Sequence, residues 1–470
     1  MRQDRGFTSL SWLLLLSGVP AAVGDTTTGS RTLAVGANVC AMSPLLAAAP
    51  AFCEVGPEMK GPEPSTAAPT KANDTQQQQQ QQQREWQQQR ERQQQSVDMS
   101  WRGPHFCVAD MCVYSNPSFS HGRGVVVVGT ARGAEAVANA LDAAQQQQQQ
   151  PAPPHEPAAP FEQKEIPGKG LGLVAARPIR RGEPIMARPP VLVVHQDAIG
   201  MEAEAAQLRL YDAAMAHLPR GTAEDFLSQA AQSATEERGR KVKDVMDTNS
   251  FNAAAGGHPH VASYLDVSRL NHDCRPNLVF HVSPSLSHTT YAVRDIAAGE
   301  ELTISYLDPF RAREVRRARA ERSWGFACAC SQCALAPALA AESDGRLWDI
   351  YQLESRLRDW PLASSSSASS SAREATQGSK GDTPLGPDSA QALLRLYAEE
   401  RLDCALGDAY ALAALNYNAF GDAEAAVKYA RPAVEAGTME HGEHGHDVQD
   451  MKNLLGGPEK HWSWRQRVLE

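Results

Sequence analysis

Three cysteines crowd into Cys328-Ala329-Cys330-Ser331-Gln332-Cys333, and a chain with such a knuckle must either load it with a metal or hide its thiols. Thiolates bind zinc tetrahedrally at about 2.3 Å and a structural site takes four ligands, so the C-x-C-x-x-C spacing supplies three. Cys274 is the only other cysteine between Cys112 and Cys404. Three reduced or disulfide-bonded cysteines in a loop are the competing reading, although close-set triplets usually mark metal sites. A metal shared with Cys274 would draw Trp324 and Phe326, just ahead of the knuckle, beside the residues that flank Cys274.

Those residues read Asn271-His272-Asp273-Cys274-Arg275-Pro276-Asn277, and Glu300-Glu301-Leu302-Thr303-Ile304-Ser305-Tyr306 lies between them and the knuckle. Taken singly, neither segment is specific. A polar pair such as Asn271 and His272 is often a turn or a cap, and Tyr306 reads as the end of a buried strand. Upstream, Ile166-Pro167-Gly168-Lys169-Gly170-Leu171-Gly172-Leu173 places a glycine-rich turn before an apolar run, again a weak signal alone. Arg180-Arg181-Gly182-Glu183-Pro184-Ile185 repeats the turn logic of Asp295-Ile296-Ala297-Ala298-Gly299-Glu300-Glu301-Leu302.

In this order and spacing the patches resemble the core of SET-domain protein lysine methyltransferases, over Phe161 to about Leu335. The resemblance implies an α+β fold, with a SET β-clip core containing a pseudoknot and a zinc-bound post-SET segment. It makes Cys274 the fourth ligand of a Zn2+ held by Cys328, Cys330 and Cys333. It also implies S-adenosyl-L-methionine as cofactor. Asn271 would meet the methionyl end and the His272 backbone the adenine, with Phe326 stacked on the adenine side. The turn of Lys169, Gly170 and Gly172 would let backbone approach the cofactor, as glycine permits. Trp324 would close the pocket or serve as an ordinary core aromatic. Tyr306 matches the tyrosine that walls the methyl-transfer channel and orients the amine, and is the candidate catalytic residue. A lysine side chain has a pKa of about 10.4, and a narrow apolar channel disfavours its charged form. The function implied is S-adenosylmethionine-dependent protein lysine N-methylation, on a histone or another protein. A SET-fold binding or scaffold protein with weak turnover is the alternative, since fold does not guarantee function.

One departure from the family is plain. Relatives with this cysteine tail often carry a cysteine-rich MYND module between the two halves of the domain, yet Ala187 to His260 contains no cysteine. Apolar positions around Leu208, Leu210, Ala213, Ala214, Leu218, Phe226, Leu227 and Ala230 predict a helical insert over about 195–260 instead. The SET domain is therefore placed at 161–310 and the post-SET segment at 311–335. Residues 336–389 read as a helix and a Ser-rich linker. The remainder, 390–470, reads as helical, with Ala414, Tyr417, Gly421, Ala426, Ala430 and Ala433 at spacings resembling one tetratricopeptide-type hairpin. Pro432 is expected to interrupt or kink its second helix, and His441, His444 and His446 to lie in a mobile polar loop.

The first third of the chain has another character. Residues 1–24 follow a signal-peptide pattern, with Arg2 and Arg5 before Leu13-Leu14-Leu15-Leu16 and the small residues Ala21-Ala22-Val23-Gly24, too short to span a membrane. That pattern, with the Asn73-Asp74-Thr75 sequon, suits secretion. Reduced zinc thiolates and S-adenosylmethionine suit the nucleus or cytoplasm of related enzymes, and an incorrect gene start would also reconcile the two. Residues 25–100 are glutamine-rich and read as disordered, and 145–160 as a Gln/Pro linker. Between them, 101–144 reads as a small module of two short strands around a Gly-rich turn, with Cys107 and Cys112 able to pair, as are Cys40 and Cys53. A net charge of −10 makes no whole-chain case for nucleic-acid binding. Arg311, Arg313, Arg316, Arg317, Arg319 and Arg322, interleaved with Glu314 and Glu321, read as a solvated helix face.

Overall fold

The computed structural model describes residues 101–148, 159–231, 233–360 and 385–468. The signal-peptide pattern, the 25–100 segment with Cys40, Cys53 and the sequon, most of the 145–160 linker and the Ser-rich stretch 361–384 lie outside those residues.

Four consecutive valines organise the centre. Strands β1 (Cys107–Val108), β2 (Met111–Asn116) and β3 (Val125–Gly129) run into helix α1 (Ala131–Gln148). All of β3 is buried, which suits β-branched residues in a strand covered on both faces. Strand β3 pairs antiparallel with β2 on one side and parallel with β7 (Leu192–His195) on the other, Val127 facing Val193. With β8 (Ser250–Ala255) and β9 (His258–Ser263) this makes a six-stranded sheet in the order β1-β2-β3-β7-β9-β8. Side chains alternate across a strand, so Val125 and Val127 enter the core shared with Ile179, Leu270 and Ile304. Val126 and Val128 enter a second core with Leu210, Phe226 and Val245. Residues 101–144 are thus not the separate module expected from the sequence, because β3 supplies the middle of the same sheet. Cys107 and Cys112, register partners of β1 and β2, are disulfide-bonded.

The expected helical insert is only partly helical. Helices α2 (Glu204–Ala216), α3 (Arg220–Leu227) and α4 (Arg238–Asn249) cover one face of the sheet, and the chain then returns as the hairpin β8-β9. The hairpin β4 (Phe161–Ile166) and β5 (Gly170–Ala175) joins β13 (Glu301–Ile304) and the two-residue strand β10 (Asn271–His272) in the order β10-β13-β5-β4. A three-stranded sheet contains β11 (Leu278–Val282), β12 (His288–Ala292) and β6 (Pro184–Arg188). The two similar turns noted in the sequence meet: Ile179 and Ile296 exchange backbone hydrogen bonds, both 2.9 Å. In each turn the glycine, Gly182 or Gly299, takes positive φ, and the next glutamate, Glu183 or Glu300, accepts from the N–H of Arg180 or Ala297. That glutamate bond and the glycine geometry explain why the same letters recur.

Beyond β13 the chain is helical: α5 (Arg313–Trp324), α6 (Pro337–Arg358), α7 (Asp388–Glu399), α8 (Leu406–Ala419), α9 (Ala423–His441) and α10 (His446–Gly456). Buried alanines at 409, 413, 426, 430, 433 and 436 let α8 and α9 pack closely, and α9 runs on through Pro432 rather than ending there. His441 and His446 terminate and begin helices instead of sharing a loop. Met439 and Ala436 of α9 pack with Val279 and Val293, and the Met439 carbonyl lies 3.1 Å from His281 Nδ1. No helix among the described residues is long and apolar enough to cross a membrane.

A buried ion pair ties this helical region to the Asn271–Asn277 segment. Arg275 donates to the Glu400 carboxylate at 2.7 Å, with side-chain exposures of 2% and 0%, and to the carbonyls of Cys274 and Pro309. Glu400 also accepts from Arg346, Ser343 and Gln332. Burial alone would raise its carboxyl, yet these donors hold it below the ordinary value. Removing one partner of such a pair strands the other charge, at a cost of about 3–5 kcal/mol. Arg275→Ala or Glu400→Ala is expected to lose about that much in denaturant unfolding; a loss below about 1 kcal/mol, the range of a surface pair, would contradict this assignment.

The His288 imidazole is enclosed by Phe251, Tyr264 and Phe280, with ring centroids at 4.5, 5.2 and 4.6 Å. Burial pushes its pKa from 6.5 down to about 3. Between those values the unfolded chain binds a proton that the folded chain refuses, so stability is full above about 6.5 and falls on acidification. Unfolding free energy measured across this window should decline with falling pH, and His288→Phe should flatten the decline.

Candidate functional site

The two-residue strand β10 divides the site. It pairs parallel with β13, Asn271 opposite Thr303 and His272 opposite Ile304, and its side chains point to opposite faces. On one face, the Asn271 amide Nδ2 donates to Glu301 Oε1 at 2.9 Å, and Lys169 Nζ donates to Glu301 Oε2 at 2.7 Å. Gly172 lies directly beneath. A Cβ there would come within 2.7 Å of Asn271 Nδ2 and 2.6 Å of Ile166 Cγ1, so glycine is required by the asparagine that crosses it. Gly168 and Gly170 take positive φ in the tight turn that presents Lys169. Glu301, at the centre of this group, is a residue that sequence reasoning did not single out.

On the other face, His272 is buried beside the cysteines. Its Nδ1 accepts the Tyr306 backbone N–H at 3.0 Å, which leaves the Nε2 proton for Cys274 Sγ at 3.3 Å. Burial lowers the imidazole to about 4. The sequence assigns only its backbone a role; the structure shows the side chain linking Tyr306 to Cys274. Tyr306 is held at its other end by its hydroxyl, which donates to the Leu270 carbonyl at 2.7 Å. Burial raises that phenol above its ordinary pKa, so it remains protonated. Trp324, Phe326 and His272 surround the Tyr306 ring, with centroids at 5.4, 6.3 and 5.3 Å. Trp324 is itself anchored through Nε1 to the Thr248 carbonyl at 3.1 Å. Gly325, in the left-handed conformation, ends α5 and delivers Phe326 toward the knuckle.

Cys274, Cys328, Cys330 and Cys333 converge, all buried, with their sulfurs within 4.8 Å of one another. Cys274 Sγ and Cys333 Sγ are 3.6 Å apart, against about 3.8 Å for two ligands of a tetrahedral zinc with 2.3 Å bonds. Four thiolates so close require a cation. Hydrogen bonding to Cys328, then to Cys330 and Cys333, pushes the Cys274 thiol up, while its bond to Cys274 pushes Cys330 down. The donor set, spacing and burial fit zinc, and none of the four cysteines is disulfide-bonded. Arg316 corrects the expected solvated arginine face: it is 1% exposed. Burial opposes its charge, but the sulfurs of Cys274 and Cys333 outweigh that and push its pKa up. A zinc with four thiolates carries two net negative charges, and a buried guanidinium partly offsets them.

Asn277 fixes the end of the segment. Its Nδ2 donates to the Glu301 carbonyl at 2.8 Å, and its Oδ1 accepts from the Thr303 N–H at 2.9 Å.

The SET family model matches residues 170–307, which hold β5, the β10-β13 pair, Cys274 and Tyr306. The relatives found carry matching names. The chain is 29% identical over 178 residues to "Histone-lysine N-methyltransferase set5" of Schizosaccharomyces pombe, covering 36% of this chain and 49% of that protein. It is 42% identical over 72 residues to "Histone-lysine N-methyltransferase SET5" of Scheffersomyces stipitis, 15% of each chain. To human "Histone-lysine N-methyltransferase SMYD3" it is 45% identical over 75 residues, 16% of this chain and 17% of that one. The matched region thus spans about half the length of the first relative and less of the others. Cys330→Ser is expected to remove one equivalent of zinc from the purified protein and lower its melting temperature, since structural zinc contributes folding energy. Unchanged metal content by elemental analysis would refute the four-sulfur site.

Proposed function

We propose that this chain is an S-adenosyl-L-methionine-dependent protein lysine N-methyltransferase. The observation that carries the reading is Tyr306, held by its backbone to His272 and by its hydroxyl to Leu270, beside the strand that carries Asn271. The donor set around Gly172 fits the amino-acid end of the cofactor: Lys169 offers a cation, Glu301 an anion and Asn271 an amide. Phe326 and the His272 backbone would serve the adenine side. When bound, the cofactor supplies a methyl group on a positively charged sulfur.

The chain's own residues position the acceptor and keep water out. A protonated Tyr306 hydroxyl is a hydrogen-bond partner and a wall, and it is no general base. Its contribution is orientation, which can be worth several kcal/mol of barrier. Desolvation in a channel walled by Tyr306, Trp324 and Phe326 would favour the neutral lysine amine. The parallel β10-β13 pairing supports reading this segment as the family's pseudoknot, and the α8-α9 pair supports a single tetratricopeptide-like hairpin beside it. The names of the relatives support a histone or another protein as substrate.

Transfer of labelled methyl groups to histones, a broad peptide panel and the chain itself tests the reading. Tyr306→Phe should lower turnover about 100-fold with cofactor affinity kept, as expected for lost positioning. Asn271→Ala should weaken cofactor binding. Gly172→Ala should do the same, because a new Cβ would meet Ile166 Cγ1 and Asn271 Nδ2 well inside contact distance and displace the asparagine amide. A wild type that binds no cofactor would sink the proposal; binding without methylation of any substrate would favour a scaffold.

A further inference from the structure

Outside the SET site, a second group of metal-ligating side chains stands at the end of the α8-α9 hairpin. Asp408 lies in the first turn of α8, and Glu440 and His441 close the last turn of α9. One ligand atom from each lies within 4.8 Å of the others. His441 Nε2 is 3.6 Å from Asp408 Oδ1 and 3.9 Å from Glu440 Oε2, past hydrogen-bond length in both cases. Ligands at about 2.1 Å from a tetrahedral zinc sit about 3.4 Å from each other. These separations are therefore close to those of a shared ion.

Two further observations point to a ligand. Glu440 is 4% exposed, and its Oε2 has no hydrogen-bond partner, nor has His441 Nε2. A buried carboxylate oxygen left unpaired is costly, and it faces the imidazole nitrogen that is also unpaired. The backbone also makes room for this carboxylate. Gly407 N donates to Glu440 Oε1 at 2.9 Å, and a Cβ at Gly407 would lie 2.6 Å from Oε2. Asp447 at the start of α10 adds a third carboxyl, pushed up by burial and by the charge of Asp408. Burial, and then the charge of Asp408, also push the Glu440 carboxyl well above its ordinary value, a crowding that a cation between these groups would offset.

We propose that Asp408, Glu440 and His441 form a second metal site, for a divalent transition ion of the zinc class, that staples α8 to α9. One imidazole with two carboxylates is a donor set such ions accept, and water completes the shell. The site is independent of methyl transfer and of the four-cysteine centre. Its place gives it a structural consequence: Met439, adjacent to Glu440, packs against β11 through Val279. The ion fixes the last turn of α9 where it meets the SET domain.

The test uses the full chain with its thiol site loaded, titrated with Zn2+ alone and, in parallel, with Co2+. The wild type should bind an equivalent beyond the thiolate one, and its cobalt form should lack sulfur-to-metal charge-transfer absorption. Asp408→Asn and His441→Ala should each weaken that equivalent at least about tenfold, the lower end of the cost of losing even an outer-shell partner. Both should keep the thiolate equivalent. Glu440→Gln preserves size and the acceptor for Gly407, so it should fold and show the same loss. A wild type that binds no equivalent beyond the thiolate one overturns the proposal, as does a second equivalent retained by all three variants.

Discussion

Four sulfur atoms drawn to within 4.8 Å of one another set the terms for the region around them. They cannot all ionise without a cation between them, and their joint charge reaches outward through named contacts. Arg316 is drawn into the interior beside them. His272 gives its proton to one sulfur and so must present its other nitrogen to the Tyr306 backbone. Gln332, inside the knuckle, reaches Glu400, which in turn receives Arg275 from the residue after Cys274. The thiol cluster, Tyr306 and the helical region are joined by this short series of polar contacts, and loosening one end should be felt at the other.

Much of the site was legible because its parts are local. The knuckle spacing gave three sulfurs, and the order of the motifs indicated the fourth. Of the residues singled out, Asn271 and Lys169 meet at Glu301 above Gly172, while His272, Tyr306 and Phe326 meet on the opposite face of β10. What was hidden depends on pairing over long separations, for which periodicity carries no signal. Glu301 looks like any acidic residue at a strand start until Asn271 and Lys169 close on it. Glu400 lies far along the chain from Arg275, and neither residue type announces a buried partner. Arg316 was misread because the surrounding arginines and glutamates set an exposed pattern that a single inward residue does not disturb. At the level of the fold, Val125 to Val128 read plainly as a strand, but nothing in them names β7 as the neighbour.

The helical region shows how small side chains stand in for strong interactions. Alanines along α8 and α9 allow the two backbones to approach, and Gly407 removes the last obstacle so that a carboxylate can enter between them. Close approach leaves little room for water, and polar groups caught there must find partners within the protein. The Nδ2 groups of Asn418 and Asn416 do so by donating to the carbonyls of Pro458 and Gly386.

The parallel pairing of β3 with β7 has a practical side. Boundaries drawn from the family match would discard the strand that covers one edge of β7, together with the helix that packs over it. A fragment trimmed to those limits would present a row of free backbone amides beside a valine-rich face, the template on which strands of separate molecules add to one another. Recombinant work on the matched region alone would therefore meet insolubility first, and the glutamine-flanked island ahead of it is part of the protein's solubility as much as of its architecture.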